Sequence, residues 1–295
     1  MAPIFWHLNT VVFNYGPFSS LALCFLLAIA YVGSLYVMTS GNKRRDDHDT
    51  IKQRFMRIAI VCVLVLPFLS FLSTSSRSVW ARNVFIWVGL KPTGFIFAST
   101  LPLFLTMLLF MGPLYLHYLD GVFVLYKEGK YWMSNMKNLI WIRNHIVAPI
   151  SEEFIFRACM LPLLVPSFGE SWAVFLCPLS FGVAHFHHLK EKVKEGNDFR
   201  SALMQSTFQF CYTTIFGAYS AFLFLRTGHV MAPIIAHAFC NHMGFPNFQE
   251  VLAYKPPTRH HIIVAFGLGL FLWYICLYPL TEPWIYGNDL YYQSV

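Results

Sequence analysis

Charged residues are scarce in this sequence. Only 12% of the 295 residues are Asp, Glu, Lys or Arg, and residues 1–42 contain none of these. Soluble domains carry about 25% charged residues, so the composition is that of a membrane protein and excludes an ordinary soluble fold. No polar block longer than about 20 residues interrupts the apolar pattern. We therefore expect a single membrane-embedded domain over residues 1–295.

Motifs that would bind zinc or form disulfides are also missing. The seven Cys residues form no CxxC pair, and the sequence has no HExxH. We interpret the cysteines as small buried apolar residues, neither disulfide partners nor metal ligands. No basic segment precedes the apolar run that begins at Pro17, so a signal peptide is not expected. No internal repeat is evident.

Apolar residues dominate what is present, at 57% of the chain. They form runs long enough to cross a bilayer, which needs about 20 residues per helix. The predicted fold class is an all-α polytopic membrane protein with about eight transmembrane helices around a polar chamber. Pro102 and Pro113 should bend the third helix, and the turn 166–169 should separate the fourth from the fifth. The eight segments are 17–38, 56–72, 94–118, 146–165, 172–189, 202–225, 230–243 and 262–280.

Basic residues are concentrated between these runs, at 41–57, 127–143 and 190–200. By the positive-inside rule these three segments are cytosolic, which places the N-terminus on the lumenal side. Short clusters of this kind do not form a nucleic-acid-binding patch, and no nucleic-acid partner is expected. Residues 131–143 are amphipathic and are predicted to lie in the membrane interface.

Three charges stand together in the fourth apolar run, at Glu152, Glu153 and Arg157. Such charges are costly inside a membrane, so three within six residues require a reason. On a helix Glu153 and Arg157 are i and i+4 and can pair. Glu152 points about 100° away and would stay free for chemistry. A purely structural salt bridge between helices is an equally good interpretation of this stretch alone.

Other polar side chains occur in three further positions of the apolar segments. His185 lies near the end of the fifth segment, and His237 and Asn241 share one face of the seventh, at i and i+4. Each alone is better explained by hydrogen bonds between helices. Together with a glutamate they can line one chamber, where a carboxylate and a His activate water and a His and an Asn stabilise an oxyanion. Those groups suffice to hydrolyse an amide.

Three motifs resemble those of the type II CAAX prenyl endopeptidases, the Ras-converting enzymes, within the CAAX-protease and bacteriocin-processing family. They are Glu152-Glu153-x-x-x-Arg157, Phe181-x-x-x-His185 and His237-x-x-x-Asn241, in the family's order, and the resemblance covers roughly 141–244. Residues 30–37 also look like the eukaryotic branch of that family.

The resemblance implies an endoplasmic-reticulum enzyme that removes the last three residues of a prenylated CaaX protein such as a Ras-like small GTPase. Glu152 would activate water with help from His185, and His237 and Asn241 would form the oxyanion hole. Glu153 and Arg157 would support the site, which would face the cytosol and need no cofactor. Membrane lipid is the other expected partner. Aromatic residues of the sixth segment could line an entry for an isoprenoid, although packing is the commoner role for such rings. They are Phe208, Phe210, Phe216, Phe222 and Phe224.

Two other functions remain open from the residues themselves. A zinc metalloprotease could use His185, His237 and a carboxylate, although Asn241 is a poor zinc ligand. A transporter or scaffold could use the same polar residues to line a pathway or join helices. A cysteine nucleophile is not expected, because Cys159 and Cys240 lack activating neighbours.

Overall fold

The computed structural model describes residues 13–37, 45–73, 80–184 and 196–288, together with residues 189, 192 and 193. Within these ranges every regular element is helical, and the all-α prediction is confirmed. The α-helices are α1 (Pro17–Ser34), α2 (His48–Leu72), α3 (Trp80–Trp87), α4 (Phe95–Leu109), α5 (Met111–Leu119), α6 (Val122–Tyr126), α7 (Gly129–Lys137), α8 (Leu139–Ile142), α9 (Ala148–Glu153), α10 (Leu161–Ala184), α11 (Phe199–Thr227), α12 (Met231–Met243), α13 (Phe248–Ala253) and α14 (Thr258–Leu277).

Two π-helical turns flank α9, at Arg143–Val147 and at Phe154–Cys159. Two 3₁₀ turns, Pro279–Thr281 and Pro283–Tyr286, follow α14. The segment that was predicted as the fourth span is therefore a composite of π and α turns that continues into α10. Within α10, Gly169 has φ +73° and ψ 166°, which breaks the helix in the predicted turn.

Five helices in the described ranges are long and apolar enough to span a bilayer. A sixth span exists if the bent pair α4 and α5 is counted as one, so the structure does not confirm the predicted count of eight. One reason is length: the 13 residues of α12 rise only about 20 Å, less than the roughly 30 Å hydrocarbon core. The five long spans are Pro17–Ser34, His48–Leu72, Leu161–Leu179, Phe199–Thr227 and Thr258–Leu277.

The bend between α4 and α5 measures 75° and lies at Phe110. Pro102 lies inside the continuous helix α4, so the 75° bend is not at this residue. Pro113 explains the break three residues before it, because its ring cannot donate a hydrogen bond to the carbonyl of Leu109 and would clash with it.

The core of the bundle is the chain from Phe154 to Val165, in which every residue is buried. This chain packs against α1 and α11, and α12 packs against α4 and α11. A charge placed in such a segment has no access to water. Glu153 and Arg157 thus depend on partners that the protein itself supplies.

The turn between α11 and α12 is anchored from outside both helices. His229 Nε2 donates to the Lys91 carbonyl at 2.8 Å, while its Nδ1 accepts from the Met231 amide at 3.2 Å. Asn288 Nδ2 donates to the carbonyls of Leu225 and Arg226 at 2.7 and 3.0 Å, which satisfies the end of α11. These contacts fix the start of α12, the helix that carries His237 and Asn241.

Candidate active site

The two glutamates of α9 differ sharply in their exposure. The Glu153 side chain is fully buried, whereas the Glu152 side chain is 20% exposed. Because neighbouring helical residues are about 100° apart, one side chain enters the core while the other borders an opening. The sequence expectation that one carboxylate is paired and the other is available agrees with this geometry.

Glu153 Oε1 accepts two hydrogen bonds, one from Arg157 and one from His237. Arg157 Nη1 lies 3.0 Å away, and His237 Nδ1 lies 2.7 Å away. The predicted i,i+4 ion pair is therefore present, and both of its side chains are fully buried. The contact with His237 joins α9 to α12 across 84 residues of sequence. Removing one partner of such a buried pair lowers the stability of the protein, since the other partner is left as an uncompensated charge.

The His237 ring lies between the two carboxylates. Its Nδ1 donates to Glu153, and its Nε2 is 3.8 Å from Glu152 Oε2. Phe216 of α11 packs edge-on against the ring with 5.0 Å between ring centroids. The hydrogen bond to Glu153 determines which nitrogen carries the proton in neutral His237, so Nε2 is the atom that faces Glu152 and the opening.

Asn241 follows His237 by one helical turn, and its side chain is exposed. Its Nδ2 donates to the main-chain carbonyl of Asn144 at 2.8 Å. The adjacent His242 contacts Tyr126, with 2.8 Å between Nε2 and the phenol oxygen. Burial raises the pKa of the Tyr126 phenol above its ordinary value. Two consecutive residues thus join the end of α12 to the segment that precedes α9.

His185, the fourth candidate catalytic residue, lies outside the described residues. Phe181 belongs to α10, so the last described turns of α10 lead to that position. The convergence of His185 with Glu152 therefore stays a prediction. The structure brings four of the predicted residues together in one site: Glu152, Glu153, Arg157 and His237. Asn241 lies one turn after His237 on α12.

Sequence reasoning missed a second layer of contacts around the glutamates. The Tyr31 hydroxyl is 2.9 Å from Ser151 Oγ, and Ser151 Oγ donates to the Val147 carbonyl at 2.7 Å. Tyr31 belongs to the segment 30–37, whose only sequence signal is its resemblance to the eukaryotic branch of the family. Nothing in the local pattern indicates that it would reach Ser151, which precedes Glu152.

Gly217 of α11 allows that helix to lie directly over the buried ion pair. A Cβ atom there would be 2.8 Å from Arg157 Nη2 and 2.6 Å from Pro178 Cβ. Both distances are shorter than van der Waals contact. A glycine in an apolar helix gives no sequence signal of this role, because its reason is the proximity of a residue 60 positions away.

We expect Gly217→Ala to lower both the thermal stability and the activity. Overpacking typically costs about 1–3 kcal/mol, which exceeds the gain in helix propensity of about 1 kcal/mol. Gly267→Ala in α14 is a matched control, since nothing lies within 4 Å of its Cβ position. Thermal unfolding of the purified variants measures the difference. Equal melting temperatures for the two variants would contradict the close contact at Gly217.

Comparison with known proteins places this site in a family. The sequence model described as type II CAAX prenyl endopeptidase Rce1-like matches residues 134–243, which include all the candidate site residues. No solved structure matches the chain.

Curated relatives extend the match beyond that range. CAAX prenyl protease 2 of Homo sapiens is 41% identical over 283 residues, covering 90% of this chain and 82% of the human protein. The protein of the same name from Rattus norvegicus is 36% identical over 278 residues, covering 90% and 80%. That of Arabidopsis thaliana is 32% identical over 295 residues, covering 92% of each chain. The resemblance inferred from the three motifs is therefore confirmed, and the chain belongs to the family of Rce1-like type II CAAX prenyl endopeptidases.

Proposed function

We propose that this protein is an intramembrane endopeptidase that removes the C-terminal aaX tripeptide from prenylated CaaX proteins. The observation that carries the proposal is the different environment of two adjacent carboxylates. Glu153 is buried and bonded to Arg157 and His237, whereas Glu152 is partly exposed beside His237. Such a division suits one structural and one catalytic carboxylate.

Glu152 is the general base in this proposal. Its Oε2 takes a proton from a water molecule, and the resulting hydroxide attacks the carbonyl of the prenylated cysteine. His185 would hold the same water, a role that rests on the family resemblance. The proton then passes from Glu152 to the leaving amine, which releases the tripeptide and restores the carboxylate.

His237 and Asn241 stabilise the oxyanion of the tetrahedral intermediate. This role requires a proton on Nε2 in addition to the one that Nδ1 donates to Glu153, and Nε2 is the ring atom that faces Glu152 Oε2 at 3.8 Å. Asn241 uses one Nδ2 proton on the Asn144 carbonyl and has a second to donate. Glu153 acts through His237 by fixing its ring, as a carboxylate does in other catalytic histidine pairs.

The family model and the name of the relatives, CAAX prenyl protease 2, support prenylated CaaX proteins as the substrate class. A CaaX protein such as a Ras-like small GTPase carries its isoprenoid in the bilayer and its tail at the cytosolic face. The enzyme therefore needs an opening to both, and the 20% exposure of the Glu152 side chain is consistent with an opening. Phe208 of α11 is exposed and suits contact with lipid, whereas Phe224 is buried in the core.

The proposed location is the endoplasmic-reticulum membrane, with the site open to the cytosol. Arg143 Nη1 pairs with Asp46 Oδ1 at 2.7 Å, so the basic segments around 45–57 and 127–143 meet at one end of the bundle. Asn241 contacts Asn144 at that same end. The positive-inside rule then assigns this end to the cytosol.

The catalytic assignment predicts that Glu152→Ala and His237→Ala abolish release of the tripeptide. Loss of an oxyanion donor typically lowers turnover by about 10²–10³, and the same fall is expected for Asn241→Ala. The assay measures tripeptide release from a farnesylated CaaX peptide by protein in lipid nanodiscs, with and without a chelator. Full activity of Glu152→Ala would disprove the mechanism.

Controls for this assay separate the substrate claim from the mechanism. His261→Ala changes an exposed histidine at the start of α14 and should leave turnover unchanged. The same peptide without its isoprenoid should be cleaved poorly, since only the lipid brings it to the membrane site. Equal cleavage of the two peptides would contradict the proposed substrate, and activity that zinc restores after chelation would favour a metalloprotease.

The orientation predicts which end of the bundle is accessible from the cytosol. In sealed microsomes, a membrane-impermeant maleimide should label Asp49→Cys, an exposed position at the start of α2. Trp284→Cys, which is 76% exposed in a 3₁₀ turn after α14, should be labelled only after permeabilisation. The wild-type chain supplies the background from native cysteines. The reverse pattern would place the site on the lumenal side.

A further inference from the structure

Asn241 is held by a main-chain group and not by a side chain. Its Nδ2 atom donates to the carbonyl oxygen of Asn144 at 2.8 Å. A carbonyl inside an α-helix normally accepts a hydrogen bond from the amide four residues later. The Asn144 carbonyl instead accepts from a side chain of another helix. The explanation lies in the π-helical turn Arg143–Val147 and in the proline that follows it.

The register of the π turn changes the hydrogen-bond partner of Ala148. Its amide donates to the carbonyl of Arg143, five residues earlier, and not to Asn144 as in an α-helix. The next residue, Pro149, has no amide proton. The Asn144 carbonyl therefore accepts no hydrogen bond from the main chain of Ala148, its α-helical partner, or of Pro149, its π-helical partner. The side-chain amide of Asn241 takes their place.

The Val147 carbonyl, at the end of the turn, accepts from a side chain of α9. Ser151 Oγ donates to the Val147 carbonyl at 2.7 Å and lies 3.3 Å from the Ala148 carbonyl oxygen. The Tyr31 hydroxyl holds Ser151 from α1 at 2.9 Å. Pro149 and Ser151 are both buried. The π turn is thus supported on its core side, and its Asn144 carbonyl is directed toward α12.

We infer that Pro149, through the Asn144 carbonyl, is a positioning residue that sets the orientation of the Asn241 amide for catalysis. A carbonyl oxygen can only accept, so it requires the NH₂ group to face it and disfavours the flipped amide, whose Oδ1 would meet another oxygen. One proton of Nδ2 is used on Asn144. The second proton is then held in a fixed direction as a donor to the oxyanion.

This inference rests on the proposed oxyanion role of Asn241 and adds the group that orients it. Preset donors stabilise a transition state better than donors that must reorient during the reaction. The family motif His237-x-x-x-Asn241 does not include residue 149, so the role would not be found from that motif. It follows from the missing proton of Pro149 and the altered register before it.

The test is Pro149→Ala, which restores an amide proton in the turn. We expect the helix to adopt α-helical register, which moves the Asn144 carbonyl away from Asn241. Turnover should fall by about 10²-fold, a loss that a misplacement of about 1 Å can cause, with little change in KM. The melting temperature should stay equal or rise, because a helix gains a hydrogen bond when an internal proline is removed. A merely structural role would lower stability and activity together.

Three comparisons make the result specific. Pro67→Ala removes a helix-interior proline from an exposed position of α2 and should leave turnover unchanged. In an Asn241→Ala background, Pro149→Ala should have no further effect on turnover, because the group it orients is gone. Pro149→Gly, which also restores the amide proton, should reproduce the loss of turnover with the unchanged KM.

The outcomes distinguish this inference from the proposed function. If Asn241→Ala is slow while Pro149→Ala and Pro149→Gly turn over as the wild type does, the positioning role is wrong and the oxyanion role stands. Additive losses in the double variant would also contradict the positioning role. If Asn241→Ala is fully active, the oxyanion role itself fails.

Discussion

An ionised carboxylate inside an apolar helix bundle must be compensated by the protein, and Glu153 is the residue on which this constraint acts. Its oxygen Oε1 binds both the Arg157 guanidinium and the His237 ring, and none of its side chain reaches solvent. Taking ions out of water costs several kcal/mol each, which good geometry must offset. Here that geometry also connects two helices and fixes a histidine.

The rest of the site is arranged around this buried centre. Gly217 lets α11 cover the ion pair, and Phe216 beside it packs on the His237 ring. Because Nδ1 of His237 is bonded to Glu153, the other ring nitrogen, Nε2, faces Glu152. Glu152 is the carboxylate that keeps access to solvent. The buried Glu153 charge thus has a structural role, and the adjacent Glu152, although chemically identical, is left for catalysis.

Sequence reasoning found the pairs that helical periodicity determines and missed those that depend on tertiary packing. Glu153 with Arg157, and His237 with Asn241, are i and i+4 and were predicted together. The contact of Glu153 with His237 spans 84 residues, so no local pattern reports it. Helix count and bends were less predictable, since π turns make one segment composite and the chain bends at Phe110 before Pro113.

The central claim is that Glu153 has one role toward Arg157 in stability and another toward His237 in catalysis, and a double variant separates them. Arg157→Met alone should lower the melting temperature, because it strands a buried carboxylate. Adding Glu153→Leu should recover part of that loss, as apolar replacements of buried ion pairs often do. Turnover should nevertheless stay at least about 10²-fold below the wild type, because His237 has lost the acceptor that orients it. A double variant with turnover near that of the wild type would contradict the account.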